Sequence, residues 1–461
     1  MSIQVDYLIV GSGAMGMAFA DVLLNETDAT MAIVDRHDRP GGHWNDAYPF
    51  VRLHQPSAFY GVNSRSLGND TVDQVGWNKG LFELASGTEV IAYFDQVMRE
   101  QLLPSGRVHY FPNTEYADNG HLSSRITGAP IDISATTVVD ATYMNVTVPS
   151  MKKPDYAIAP GVQYVPVNGL PQAASPEMSY VVVGAGKTGM DACLWLLRNN
   201  VTPARISWIM PRDSWMLDRA NIQPGILAGR AASVFAAQLK IAAESTSLKD
   251  LFDKVGESGQ LLRLTDDIEP TMYRCATVTT DELEQLRRID NVIRMGRVES
   301  LAPGLIKLEK GEVPVDEKNT LFVDCTADGL ERRPVCNVFD SGKITLQSVR
   351  TCQQVFSAAF IAHIEVAFND IAEKNQLCTP VPHPDNHIDF LRTTLANTIN
   401  GAAWSAHPDL QRWLSESRLD GFSLAGGEAP KPNPEMLKVA MSAMEKLSAY
   451  ISEAESAQVS A

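Results

Sequence analysis

The sequence predicts an α/β protein built from two dinucleotide-binding units with a helical insertion, and three observations predict it. An apolar strand running into a Gly-rich turn occurs twice, as YLIVGSGAMG ending at Gly16 and as YVVVGAGKTG ending at Gly189. Each copy is followed far downstream by an apolar strand that closes in Asp-x-Thr, TTVVDATY ending at Tyr143 and LFVDCTADG ending at Gly329. Strands alternating with Ala/Leu-rich helical segments call for parallel sheets, because parallel neighbours need a long crossover and a helix is the usual one.

A chain of 461 residues has room for two to four domains at about 150 residues each. Hydrophobic residues at 44% and charged residues at 20% exclude a disordered, collagen-like or coiled-coil chain. With 39 Lys+Arg against 55 Asp+Glu the formal charge is −16, which repels phosphate backbones and anionic lipids, so nucleic acid and membranes are not expected partners. The six cysteines show no C-x-x-C pair or Cys/His ligand spacing, so neither a metal site nor a disulfide is expected, and the thiols should be reduced and mostly buried. The N-terminus shows no export signal, and the longest apolar stretch, around Val355 to Phe368, is interrupted by His363 and Glu365 and is shorter than the ~20 residues a bilayer needs. A cytoplasmic protein is expected.

The first unit opens with the strand Tyr7 to Val10, the turn Gly11 to Gly16 and a helix, and its second strand, Met31 to Val34, runs into Asp35. In a Rossmann-like unit Gly11 permits the tight turn, Gly13 lets the backbone approach a pyrophosphate and Gly16 lets the helix pack on the sheet. The helix amides from Ala14 onward receive the anion, and Asp35 would hold an adenosine ribose. The segment Pro149 to Pro176, rich in Pro, Gly and Ala, reads as a linker and puts a boundary near 165. In the second copy Gly184, Gly186 and Gly189 repeat the spacing. The intervening Lys187 and Thr188 invite a P-loop reading, which fails because the required earlier glycine is Val181. The next strand, Arg205 to Met210, is followed by Pro211 and Arg212 rather than a carboxylate. A guanidinium there suits the 2′-phosphate of NADPH over NADH, the alternative being a solvated surface charge. From Ile222 to about Leu286 the pattern turns helical, a helical insertion at about 220–290. Beyond Gly329 come a short strand, KITLQSV, a long helix from about Thr351 to Glu373, a Pro- and His-rich segment, a final amphipathic helix near Pro434 to Ile451, and a frayed tail, 453–461.

These pieces carry a family resemblance. Val34-Asp35-Arg36 followed by Gly41-Gly42-His43-Trp44 resembles the acid-Arg-x4-GGxW fingerprint of flavin-dependent monooxygenases of the two-dinucleotide-domain type. DATY, with Thr142, and DCTADG resemble the motifs that mark the returns between their FAD and NADP domains. The resemblance spans most of residues 1–370 and implies FAD as the first nucleotide and NADPH as the second. It also implies a discontinuous first domain, 1–164 and 331–452, with 165–330 inserted as the NADPH domain. RLHQPS, Arg52 to Ser57, resembles the segment that lies beside the reactive flavin edge in that family, Gln55 standing for its Asn and His54 for the Thr before it. Gln55, His54 and Arg52 are therefore the catalytic candidates. The first two could equally satisfy buried backbone groups, and Arg52 could contact flavin, an NADP phosphate or an ion-pair partner. Two departures stand out: YAIAPGVQYVPVNGLP lacks the FxGxxxHxxxY signature of N-oxygenating and Baeyer-Villiger relatives, and Tyr143 replaces the last glycine of the first return motif.

The implied activity is NADPH-dependent oxygenation of a small organic substrate by O2 through a C4a-(hydro)peroxyflavin, the protein supplying position and a dry pocket. The helix opening near Thr351 could aim its amides at the flavin N1/O2 edge or be a plain core helix. A disulfide reductase is rejected because no cysteine precedes Cys193. An FAD oxidase or dehydrogenase of an amine or alcohol, and a non-enzymatic nucleotide-binding protein, remain the alternatives, with a homodimer left open. Trp215 and Tyr273 could line an entry or sit in the core.

Overall fold

The computed structural model describes residues 3–117, 120–327, 329–421 and 434–459. In it Val10 pairs in parallel with Val34 on one side and with Asp140 on the other, so the first glycine turn leaves from the middle of a sheet. That sheet runs Phe339–Asp340, Lys343–Thr345, Ile133–Asp140, Ile3–Val10, Met31–Val34, Val108–Phe111, and so draws strands from both sides of the second unit. The second sheet, Asn291–Ile293, Ile206–Ile209, Ser179–Val183, Thr320–Asp324, Tyr164–Pro166, repeats the plan: Val183 pairs in parallel with Ile209 and with Asp324. In both sheets the chain departs in opposite directions from the central strand, which opens a crevice beyond the strands' carboxyl ends.

Strands Met31–Val34, Ser179–Val183 and Thr320–Asp324 are buried almost throughout and read as continuous apolar stretches because both faces are covered. Helix Ala14–Glu26 packs on helix Gln354–Ala367, whose residues Val355–Ala362 and Ile364 are buried. The dipeptide-level repeat is realised atom for atom at the return motifs. Asp140 accepts from the Thr142 amide and hydroxyl at 2.9 and 2.7 Å, and Asp324 accepts from those of Thr326 at 3.0 and 2.6 Å. The two crossings run side by side: Thr147 bridges Gly329, Asn145 bonds Glu331 at 2.6 Å, and the Tyr143 hydroxyl donates to the Pro334 carbonyl. Tyr143 thus tethers one crossing to the other where a glycine could not. Asp328 of the second motif lies outside the described residues.

Four expectations need correction. The crossing into the second unit comes before residue 165, since Tyr164–Pro166 already belongs to its sheet and Ala157–Ile158 pairs with Val298–Ala302. The insertion is not purely helical: with helices Gly229–Glu244 and Leu248–Glu257 it holds a sheet of Ser214–Asp218, Leu261–Leu262 and Met272–Val278. Residues 453–459 continue the last helix, Pro434–Val459, rather than fraying, and that helix packs against Gly229–Glu244. The stretch Gly225–Glu244, 20 residues of mean hydropathy 1.3, is long and apolar enough by length and composition to cross a bilayer, longer than the one singled out from the sequence. Insertion and C-terminal helices share a separate core that includes Trp215, Phe252, Tyr273, Phe390 and Leu447, with Trp215 stacked on Phe252 at 5.7 Å. Trp215 and Tyr273 are therefore core residues.

Candidate active site between the glycine turns

Each glycine turn is held by contacts that no other residue would allow. Gly11 has φ +104° and Gly184 φ +125°, the left-handed side of the map. A Cβ on Gly16 would lie 2.0 Å from the Gly11 carbonyl oxygen, and one on Gly189 would lie 2.1 Å from that of Gly184. A Cβ on Gly11 would meet Thr142 at 3.1 Å, so the first turn and the first return motif are packed together. The GGHW loop closes over this turn: a Cβ on Gly42 would stand 2.9 Å from the Gly13 Cα. Trp44 is buried and donates to the Tyr60 hydroxyl at 2.7 Å, and burial pushes the His43 imidazole, stacked on Trp44, down to about 4.

Helices Ala14–Glu26 and Lys187–Arg198 have neither a side-chain cap nor an acidic residue in the first turn, so the donors and the positive dipole end of each face the cleft unclaimed by side chains. A Cβ on Gly186 would meet nothing within 4 Å. The cleft between the turns encloses about 1460 Å³, lined by Gly11, Gly13, Ala14, Asp35, Arg36, Gly42, His43, Trp44 and Thr142 from the first unit and Gly184, Gly186, Lys187, Thr188 and Arg212 from the second. A single small-molecule site typically occupies roughly 300–1,000 Å³, so there is room for more than one ligand.

Asp35 is more occupied than the sequence suggests. One carboxylate oxygen accepts from the Ser12 amide and hydroxyl at 2.6 and 2.8 Å, the other from the His37 amide and ring at 2.8 and 2.9 Å. Burial pushes its pKa up, but the His37 and Ser12 bonds outweigh this and hold it below the usual range. With its acceptor positions taken, Asp35 braces the turn, and a ribose contact would have to displace Ser12 or His37. His37 also reaches Asp46 at 2.9 Å, and its pKa is raised first by the Asp35 bond.

Arg52, His54 and Gln55 all line the same cleft. Gln55 accepts at Oε1 from Gln353 Nε2 at 2.7 Å, which leaves its own amide donors for the cleft, and Gln353 is the N-cap of the helix Gln354–Ala367. The His54 imidazole is held well below its ordinary pKa, first by burial and then by the charges of Lys187 and Arg219, so it is neutral. Lys187 ion-pairs with Asp191, which also accepts from Tyr48 at 2.6 Å. Arg52 sits at the exposed rim, its backbone bridged to Ser86.

Arg212 is partly exposed but is not an isolated charge. It makes bonds of 3.0–3.3 Å to Asp385, which Arg274 and Arg332 share. Burial raises the Asp385 pKa, yet the Arg212 and Arg274 guanidiniums win and hold it at about 2. Three cations on one anion leave a positive rim.

The sequence did not point to Gln353, His37, Asp385 or Arg219. Arg219 is 1% exposed and bonds the His54 carbonyl at 2.9 Å, Thr277 at 3.3 Å and Glu282 at 2.9 Å, fastening the 52–57 segment to the insertion. The partners of Gln353, Asp385 and Arg219 lie tens to hundreds of residues away and leave no local pattern, whereas His37 stands two residues from Asp35 and nine from Asp46. The cysteine expectation is overturned as well: Cys275 and Cys352 form a disulfide, and both line the cleft. Their approach joins the insertion to the first unit, which spacing along the chain cannot reveal. The absence of an early cysteine is thus no ground for rejecting disulfide chemistry.

Comparisons agree with this geometry. Residues 9–61 match the family described as NAD(P)-binding Rossmann-like domain. Two crystal structures described as OTEMO complexed with FAD and NADP share the fold at TM-score 0.50. One has 12% identity and covers 98% of this chain and 99% of that one; the other has 13% identity and covers 80% and 84%. The chain shares the architecture of those two structures. Among curated proteins, "Uncharacterized protein Rv2000" of Mycobacterium tuberculosis (strain ATCC 25618 / H37Rv) and "Uncharacterized protein Mb2023" of Mycobacterium bovis are each 52% identical over 421 residues, 91% of this chain and 78% of theirs. The chain belongs to the family of these mycobacterial proteins.

Proposed function

We propose that this protein is an FAD-dependent monooxygenase that uses NADPH and O2 to oxygenate a small organic substrate. One observation carries the reading: two glycine turns with the same excluded-Cβ geometry open onto one cleft, and the 52–57 segment lies on its wall. The residues fit the nucleotides, because uncapped helix ends and the open space at Gly186 are what phosphates need. FAD is assigned to Gly11, Gly13, Ala14, Gly16, Arg36, Gly42, His43, Trp44 and Thr142, with Asp35 bracing the turn. NADPH is assigned to Gly184, Gly186, Lys187, Thr188, Gly189 and Arg212. When bound, the flavin accepts a hydride from NADPH and activates oxygen.

The chain's own residues position and protect this chemistry. Gln353 orients the Gln55 amide so that its N–H groups donate into the cleft, and the neutral His54 can hydrogen-bond there without adding charge. Likeness of fold to the OTEMO complexes with FAD and NADP supports the class. The experiment is a spectrum of the purified protein followed by NADPH oxidation in the presence of amines, aromatics and ketones. Gln55→Leu should leave flavin reduction nearly intact and raise peroxide release per NADPH about tenfold, the loss of a hydrogen bond worth roughly 1–3 kcal/mol. A protein that stays colourless with FAD, or unchanged coupling in the variant, would defeat the assignment.

A further inference from the structure

Three of the four unbridged cysteines are inert by position: Cys193, Cys325 and Cys378 are buried, and burial pushes their thiols up. Cys325 lines the cleft as well, but the Cys275–Cys352 bridge differs in being already oxidised and in its neighbours. Both of its residues line the cleft. Cys352 is followed directly by Gln353, whose side chain bonds Gln55, so the bridge stands one residue from the side chain that orients the amide assigned to the flavin edge. Both cysteines hold left-handed backbone, φ +55° and +57°, a conformation that non-glycine residues adopt rarely and that gathers at functional sites. Cys352 also precedes a 14-residue helix that has neither a capping side chain nor an acidic first turn, a setting that stabilises a thiolate.

We propose that Cys275–Cys352 is a redox-active disulfide that is opened by NADPH through the flavin bound in the same cleft, giving the protein a dithiol/disulfide couple in addition to its oxygen chemistry. The inference rests on the flavin reading above. The S–S bond breaks as it accepts one electron pair that originates in the NADPH hydride, and NADP+ is the oxidised product. The transferred hydrogen ends as a proton on one sulfur, and the other sulfur leaves as a thiolate, so charge and atoms balance with no further reactant. Cys352, at the helix end, is the better thiolate, and Cys275 takes the proton. The acceptors such a dithiol would reduce are small or protein disulfides able to enter the cleft.

The test uses the FAD-loaded enzyme under anaerobic conditions, alkylated after denaturation and weighed by mass spectrometry. Before NADPH four cysteines should react, and after it all six should, with the two new sites at Cys275 and Cys352. NADPH titration should deliver twice as many electrons per flavin to the wild type as to the double variant Cys275→Ser/Cys352→Ser. If the double variant folds poorly, the thiol count of the wild type decides alone. A yellow protein whose bridge survives NADPH but opens in dithiothreitol overturns this inference and leaves the flavin reading standing. Six reactive thiols before NADPH also overturn it. A protein that takes up no FAD overturns both readings.

Discussion

Replacing Gly186 with alanine separates a glycine needed by the fold from one needed by a ligand. The residue has φ −78° and ψ −180° to within a degree, extended backbone open to alanine, and the added Cβ meets no protein atom within 4 Å. The chain itself therefore has no objection, and the loss of glycine's freedom in the unfolded state should stabilise the protein by about 0.4–1 kcal/mol. The empty space is where a pyrophosphate must approach, so the methyl group costs NADPH binding instead. Crowding by one methyl in a close-packed site is worth roughly 1–3 kcal/mol, a loss of about five- to 150-fold in affinity. Gly189→Ala is the contrast: its Cβ would stand 2.1 Å from the Gly184 oxygen, well inside contact, so the helix Lys187–Arg198 must move off the sheet and stability itself should fall. Chemical denaturation of the two variants, with NADPH affinity followed by the rate of flavin reduction, reads both quantities. Unchanged NADPH affinity in a stable Gly186→Ala protein would refute the placement of NADPH on this turn.

Two further outcomes follow from the charge arrangement. Arg212→Ala should lower NADPH affinity about tenfold and leave NADH binding little changed, because a charge-assisted bond of roughly 1.5–3 kcal/mol is shared with Asp385 and backed by Arg274 and Arg332; equal losses for both coenzymes would remove Arg212 from the 2′-phosphate. His43 and His383 are both pushed down from 6.5 to about 4, chiefly by burial, so they stay neutral in the fold while their unfolded counterparts take up protons. Stability is then full above 6.5, falls as pH drops toward 4 and levels off below, by at most about 3 kcal/mol for each histidine; a denaturation midpoint no lower at pH 5 than at pH 7.5 would contradict this.

Local spacing was enough to reveal both glycine turns and the two Asp-x-Thr returns, while the GGHW loop and the candidate segment Arg52–Gln55 came from resemblance to a family. In each case the chemistry depends on residues within one turn of backbone: a left-handed φ at Gly11, an excluded Cβ at Gly16, a carboxylate bonded two residues ahead at Asp140. The alternation of strands with helical segments likewise announced parallel sheets, since parallel neighbours need a long crossover. What only the tertiary structure decided are meetings between distant parts of the chain. Asp35 looked free for a ribose until Ser12 and His37 were seen to fill its acceptor positions, and Arg212 looked solitary until Asp385 arrived from 173 residues away. The Cys275–Cys352 bridge, the Gln55–Gln353 bond and the buried Arg219 belong to the same class, as does the sheet hidden in the insertion. A covalent bridge, hydrogen bonds and ion pairs between distant segments depend on what meets in space and leave no period or spacing in the sequence.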